Sequence, residues 1–396
     1  MDYMIEVLIY ICIFFPYTKF FNIGVNGNLQ PYAFVTTVAF LFIYNKAIKY
    51  DRSSKLLMIS SVIAILVFFI DVVAHYNEMI NIYGAMQSVY FYISGFLYFL
   101  AFKNLIRIKG IKLTYIKIIF WIWTIIAGIQ LVYDRTFFTG WMNKLIISSD
   151  RGVISLSSEP SFFARMLILF AVIFYVKKQY KLCWLAVFEN IFFARSLLGI
   201  FYLLIGLFFL FEKDRKTLRY ICILTGIAVI VFPFTLGFEN IRAIYLLKEF
   251  LLDPVQVLLY RNSINFRLAN VYYGFKGFGF LPNGFLSWEN YLWENLMKSD
   301  IFLSPLAHES LRIKGMLPRI VYELGIFSAL ILYSIKKMFK KRNYRNMIYF
   351  FTIMTFGFTN PAYVFVLAFL SNKDSNMNVL AKQRSYNLKE VNNKCE

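Results

Sequence analysis

Apolar runs of about 12 to 23 residues alternate with short basic connectors along almost the whole chain, as expected when a backbone must satisfy its hydrogen bonds inside lipid as helices. The runs predict twelve spans, at about 5–21, 31–48, 56–75, 82–102, 113–133, 160–176, 182–194, 196–211, 218–236, 316–335, 346–358 and 361–371. The only long stretch outside this pattern is 237–315, and the tail from 372 to 396 is polar. The expected fold class is therefore all-α. Residues 1–396 would form a single integral membrane domain of about 12 transmembrane helices with one large loop on one side.

Two pairs of runs are individually short, 182–211 around Arg195 and 346–371 around Asn360-Pro361, and each has basic residues at both ends. A helix of about 13 residues covers only about 20 Å of a hydrocarbon layer about 30 Å thick. Each pair is expected to be a thin hairpin or broken helix whose apex lines a wet cavity or packs in protein. No internal repeat relates the two halves, which weighs against a rocking transporter.

Charge adds orientation. The chain is 59% hydrophobic, 20% aromatic and only 16% charged, with a net charge of +20. Roughly 27 of its 42 Lys and Arg fall in the connectors 46–55, 103–117, 177–181, 213–219 and 336–345 and in the tail, all on one side by parity. The positive-inside rule makes that side, and both termini, cytoplasmic, and 237–315 external; it also accounts for the positive charge without nucleic acid. The first run follows Asp2 rather than a basic segment and lacks a small-residue cleavage site, so it reads as a retained helix. Cys12, Cys183 and Cys222 fall within apolar runs and Cys395 in the tail, a spacing that suggests neither a metal site nor an external disulfide.

Within the loop, Ile241–Leu252 reads as a helix ending at Asp253-Pro254, apolar enough to lie along the membrane surface. About 263–273 reads as a second, carrying Arg267. The turn-rich segment Gly274-Phe-Lys-Gly277-Phe-Gly279-Phe-Leu-Pro282-Asn-Gly284 follows. Its aromatics fit either stacking on sugar faces or an interfacial belt.

Candidate chemistry gathers at the outer helix ends. Ser149 to Arg165 is polar for a segment leading into a span, and Glu159-Pro160 suits a helix first turn. Helix capping does not account for Arg151, nor for Arg165 about one and a half turns into the apolar run, where a charge costs about 2.5 to 3.5 kcal/mol near mid-bilayer. Arg195 either pairs with Glu189, six residues earlier, or faces a cavity and binds a phosphate through its planar fork. Arg267, with Arg261, suits a solvated face equally well. Arg319 and Glu323, four apart, suit pairing on one helix face. His308 is one of two histidines; the other, His75, sits with Asp71 at an outer helix end and reads as an interface pair. Several guanidiniums at membrane depth imply an anionic ligand itself lodged in the membrane, such as a lipid phosphate or pyrophosphate. In such a site arginines stabilise the charge on a pyrophosphate leaving group, and Glu159, Glu323 or His308 removes a proton from an attacking hydroxyl. Glycosyl transfer from a lipid-linked sugar needs these two actions. There is no Asp-x-Asp motif, so arginine takes the part a divalent metal plays elsewhere, and no cofactor is expected.

Arg151-Gly152 followed by Ser158-Glu159-Pro160-Ser161-Phe162, Arg195-Ser196 opening a span, Arg267 ahead of Gly277-Phe-Gly279, and Glu323-Leu-Gly325-Ile326 recur in an order that resembles the bacterial O-antigen and capsular polysaccharide polymerase family, related to the O-antigen ligases. The resemblance covers nearly the whole chain. It implies a mostly helical inner-membrane glycosyltransferase that moves a growing glycan on undecaprenyl pyrophosphate onto a fresh lipid-linked repeat unit at the outer face. It also implies a flippase and a chain-length regulator as partners. Lys314 stands where many relatives, the ligases especially, place a His, so a ligase fits less well and the general base stays open among the three candidates. A lipid-linked oligosaccharide flippase would not need the long outer loop and would carry charges mid-helix in both halves. A membrane acyltransferase would show an early His or Arg-x-x-Asp site facing the cytoplasm, and none is convincing. A purely structural protein leaves the outer arginines unexplained.

Overall fold

A computed structural model describes residues 2–19, 29–74, 82–142, 152–210, 262–299 and 315–372 apart from Thr355, with isolated positions at 245–255, 301–302 and 313. These residues are all-helical, with one isolated antiparallel bridge between Thr18 and Met142 and no strand. In chain order the helices are α1 (Asp2–Phe14), α2 (Tyr32–Ile43), α3 (Arg52–Ala74), α4 (Ile82–Lys109), α5 (Leu113–Val132), α6 (Pro160–Val176) and α7 (Tyr180–Phe192). There follow α8 (Leu197–Leu210), α9 (Asn262–Lys276), α10 (Trp288–Met297), α11 (Met316–Leu324), α12 (Ser328–Met338), α13 (Arg342–Met354) and α14 (Pro361–Ser371).

Among the described residues, four helical stretches are long and apolar enough to cross a membrane: α3, α4, α5, and Met316–Met338, which joins α11 and α12 through a 3-10 turn at Gly325–Phe327. On α3, Ile59, Val62, Leu66, Phe69, Ile70 and Val73 are exposed at helical spacing, and Ile118, Trp121, Ile122 and Ile125 are exposed on α5. Apolar stripes of that extent face lipid in a membrane protein. In contrast α14 is buried along its whole length, packed against α1, α4 and α6.

Helix α1 stops at Phe14 rather than near 21 because Pro16 cannot continue it and disfavours helix in the residue before. Both short runs are broken into helix pairs, α7 and α8 at 193–196 and α13 and α14 around 356–360. The second apex reaches the middle of α4, where Phe358 lies so close to Gly95 that a methyl group there would meet its ring at 2.6 Å. The expected span 218–236, the loop helix 241–252 beyond isolated positions and the tail lie outside the described residues.

Among the described residues, contacts tie several of the basic connectors to neighbouring helix ends. Lys103 pairs with Asp51, which also caps α3 by accepting from the Ser54 amide at 3.0 Å. Asn104 binds the Lys49 amide and carbonyl at 2.9 and 3.2 Å, and Arg107 donates to the Ala47 carbonyl. Ser53 and Ser334 exchange hydrogen bonds, joining α3 to α12. Arg52 lies over the Tyr333 ring and Lys177 over Phe369.

Candidate functional site

At the other end of the bundle three irregular segments converge. The first, 152–159, leads into α6, where Pro160 loses no hydrogen bond at the first helical position. It is held by Gln130 of α5, whose Oε1 accepts from the Ser155 amide at 2.7 Å and whose Nε2 donates to the Ser155 carbonyl at 3.1 Å. Ser155 adopts a left-handed φ of 50° and donates its hydroxyl to the Trp123 carbonyl at 2.7 Å. Ser157 donates to the Glu159 carbonyl at 2.8 Å, and Ser161 donates to Glu159 Oε1. Ser158 Oγ is buried without a hydrogen-bond partner.

The second segment is the α7–α8 apex. The Val153 amide donates to the Phe193 carbonyl at 2.9 Å, and Gly152 approaches Ala194 so closely that a Cβ would meet the carbonyl oxygen at 2.2 Å. Only glycine fits, because the obstructing atoms are backbone. The Arg151-Gly152 and Arg195-Ser196 motifs, more than 40 positions apart in the chain, are thereby joined through Gly152 and Ala194. Arg195 itself holds a left-handed φ of 43°, a region that non-glycine residues visit rarely and that clusters at functional sites. Its Nε donates to the Phe192 carbonyl at 2.9 Å. Burial, and then the positive charge of Arg135, pull its pKa below the ordinary value. Glu189 does not pair with it: Glu189 is fully buried, takes the Thr124 hydroxyl on Oε1 at 2.8 Å, and leaves Oε2 without a partner.

The third segment is the 356–360 turn, which links two arginines. On one side Asn360 donates to the Tyr17 hydroxyl at 3.4 Å; Tyr17 stacks on Phe162 at 5.2 Å, and the Arg165 guanidinium covers Phe162 at 4.8 Å. Arg165 Nε is buried with no hydrogen-bond partner. On the other side Phe358 packs on Phe91 at 5.4 Å, and Arg319 lies over Phe91 at 4.4 Å.

Arg319 and Glu323 form the expected pair at 2.9 Å, extended by Arg319 to Ser88 at 2.6 Å and by the Tyr92 hydroxyl to Glu323 at 2.7 Å. Glu323 is 4% exposed. Beside it the glycine-rich turn docks on the 3-10 break. Gly325, at a φ of +54°, sits where a Cβ would meet the Leu281 carbonyl oxygen at 2.6 Å, and the Ile326 amide donates to the Phe280 carbonyl at 3.3 Å. Asn283 donates to the Tyr322 carbonyl at 3.0 Å. Asp71 at the end of α3 accepts from the Phe285 and Leu286 amides at 2.6 and 2.9 Å, tying α3 to this turn.

Arg195 therefore lies on the apex that touches the 152–159 segment of Glu159, while Arg165 and the Arg319–Glu323 pair reach the 356–360 turn through Phe162 and Phe91. Arg267 is exposed on α9, away from the small core that Phe266, Tyr273, Trp288 and Tyr322 build. Arg151 and His308 lie outside the described residues, as do His75, Arg261 and Lys314. The sequence signals do not mark Arg135 or the Gln130–Ser155 link, since neither belongs to a motif. A comparison with protein-family models finds no match, and neither does one with curated proteins.

Proposed function

We propose that the chain is a surface-polysaccharide polymerase that transfers a growing glycan from undecaprenyl pyrophosphate to a lipid-linked repeat unit at the outer face of the bacterial inner membrane. In this reading twelve spans place both termini in the cytoplasm and 237–315 outside. The end carrying Gly152, Arg195 and Asn360 then faces outward. The observation that carries the proposal is the contact of Gly152 with Ala194, which brings the Arg151 and Arg195 motifs to one place. A guanidinium such as that of Arg195 suits a pyrophosphate, able to take two oxygens through a planar fork.

The reaction breaks the bond between the anomeric carbon and the phosphate oxygen. The electron pair leaves on the lipid pyrophosphate, where Arg195 and Arg151 stabilise it. An acceptor hydroxyl forms the new glycosidic bond and gives its proton to a carboxylate. Glu159 suits that part best: it is half-exposed at the mouth of α6, whereas both oxygens of Glu323 are engaged by Arg319 and Tyr92. Glu323 and Arg319 instead brace the turn beneath the site.

Purified protein in liposomes is expected to lengthen a lipid-linked repeat unit. Arg195→Ala is expected to reduce elongation by about a hundredfold or more, as for a lost transition-state charge contact, with thermal unfolding in detergent unchanged. Normal elongation by that variant removes Arg195 from the site. Movement of substrate across the bilayer by the wild type without elongation replaces the proposal with a flippase.

A further inference from the structure

The glycine-rich turn ends in an apolar tip. Gly277-Phe278-Gly279-Phe280-Leu281-Pro282 holds no polar side chain; Phe280 and Leu281 are 73% and 71% exposed, and Phe278 beside them is exposed as well. An apolar patch of that kind marks a contact surface. Phe275 and Phe278 of this segment, with Val321, Ile326 and Leu332 of the Met316–Met338 stretch, border an open groove of about 400 Å³.

The level of the tip follows from the two helices it is tied to. Ser53 of α3 and Ser334 of α12 exchange hydrogen bonds beside Arg52, Lys55, Lys336 and Lys337, so the basic ends of both helices share one level. Ile326, whose amide is bonded to the Phe280 carbonyl, lies eight positions before Ser334, only about 12 Å along the helix. On α3, Asp71 holds the Phe285 and Leu286 amides eighteen positions beyond Ser53, about 27 Å up. The chain from Phe285 back to Phe280 therefore descends about 15 Å, within the reach of five extended residues. A second path agrees. Ser61, eight positions beyond Ser53, donates to the Tyr92 carbonyl at 2.9 Å, and the Tyr92 hydroxyl reaches Glu323, three residues before Ile326. Phe280 and Leu281 thus lie near the middle of a hydrocarbon layer about 30 Å thick, not beyond its edge.

Backbone at that depth needs internal partners, and several are in place. The Gly277 and Phe278 amides donate to the Tyr273 and Phe275 carbonyls at 2.8 and 3.1 Å, Asn283 Nδ2 donates to the Gly277 carbonyl at 2.7 Å, and Pro282 has no amide to satisfy.

The geometry points to a re-entrant turn: residues 277–282 enter the hydrocarbon layer from the end of α3 that carries Asp71, and Phe278, Phe280 and Leu281, with the groove beside Ile326, contact acyl chains of the surrounding bilayer lipid. At the same level on α3, Val62 and Leu66 are exposed in the stripe that faces lipid. The aromatics of the turn then serve neither sugar stacking nor an interfacial belt. This needs the membrane reading of the helices and nothing of glycan transfer.

The test places a nitroxide at Phe280→Cys, Val62→Cys or Asn290→Cys in the full-length protein carrying Cys12→Ala, Cys183→Ala, Cys222→Ala and Cys395→Ala. Collisions with oxygen and with a water-soluble nickel chelate are measured in phosphatidylcholine vesicles. The label at 280 should match that at 62, with oxygen contact high and nickel contact roughly tenfold below that at 290, since hydrocarbon excludes polar solutes. Nickel contact at 280 equal to that at 290 puts the tip in water and overturns the proposal. Low contact with both reagents means that protein covers the tip, from a second copy or another segment of the chain, and overturns it as well. Benzoylphenylalanine introduced at 280 in the chain with its native cysteines gives a second readout. Irradiation should attach radiolabelled phosphatidylcholine roughly tenfold more than benzoylphenylalanine at 290 does, and equal attachment overturns the proposal. Glycan elongation by the wild type, present or absent, moves neither result.

Discussion

Arg319 and Arg195 are held in opposite ways. Arg319 lies over an aromatic ring and is closed into a network of Glu323, Ser88 and Tyr92 with its charge neutralised. Arg195 has a left-handed backbone, one carbonyl acceptor and another arginine for company. The first arrangement closes a helix junction; the second leaves the terminal amino groups of Arg195 without a hydrogen-bond partner among the described residues. Residues of one type thus differ in whether their partners are already present in the fold.

That division is sharpest at Glu323. Glu323→Ala strands Arg319 in a largely buried site and is expected to destabilise the protein by about 3 to 5 kcal/mol, seen as a large fall in the thermal unfolding midpoint in detergent. An unchanged midpoint would erase the contrast with Arg195→Ala. Next in size is Gly152→Ala, whose new methyl group must displace the backbone at Ala194. A cost of about 1 to 3 kcal/mol is expected, together with loss of elongation although every arginine is intact. Wild-type elongation in that variant would show that the two motifs need not touch.

The smallest effect calibrates the other end of the bundle. Desolvation raises the pKa of Asp51, but Lys103 and Ser54 outweigh it and leave the carboxyl below its usual value. Its contribution is therefore present above the unfolded pKa of about 3.9 and disappears as pH falls through the lower folded value. Because the pair is more than a third exposed on the Asp51 side, Asp51→Asn should cost no more than about 1 kcal/mol at pH 7. The difference from the wild type should shrink in unfolding curves as the pH is lowered below about 4. A loss as large as that of Glu323→Ala would mean that burial does not separate the two ion pairs.

Local signals proved legible where one residue decides the outcome. Pro160 and Pro361 mark the starts of α6 and α14, and the Arg319–Glu323 pair follows from their spacing. The end of α1 was equally present in Pro16, although hydropathy alone carries the run to 21. Helix α10 lies outside the expected elements even though Trp288, Leu292 and Leu296 recur every four residues and form its buried face. Within the site, the glycine of Arg151-Gly152 and the glycine of Glu323-Leu-Gly325 stand out in the sequence, but what each admits does not: one accepts the Ala194 carbonyl, the other the Leu281 carbonyl. Partnerships across the chain, such as Glu189 with Thr124 and Asp71 with the 285–286 amides, depend on packing that no local pattern encodes.

Helix α14 carries a consequence for biogenesis. Its 11 residues extend about 16 Å, roughly half the hydrocarbon thickness, and every one is covered by protein. Such a segment has no stable position in the bilayer by itself. Since α1, α4 and α6 leave the ribosome long before it, the bundle must hold an open slot until this late plug arrives, and a chain halted before Pro361 would present that slot to lipid or to quality-control proteases.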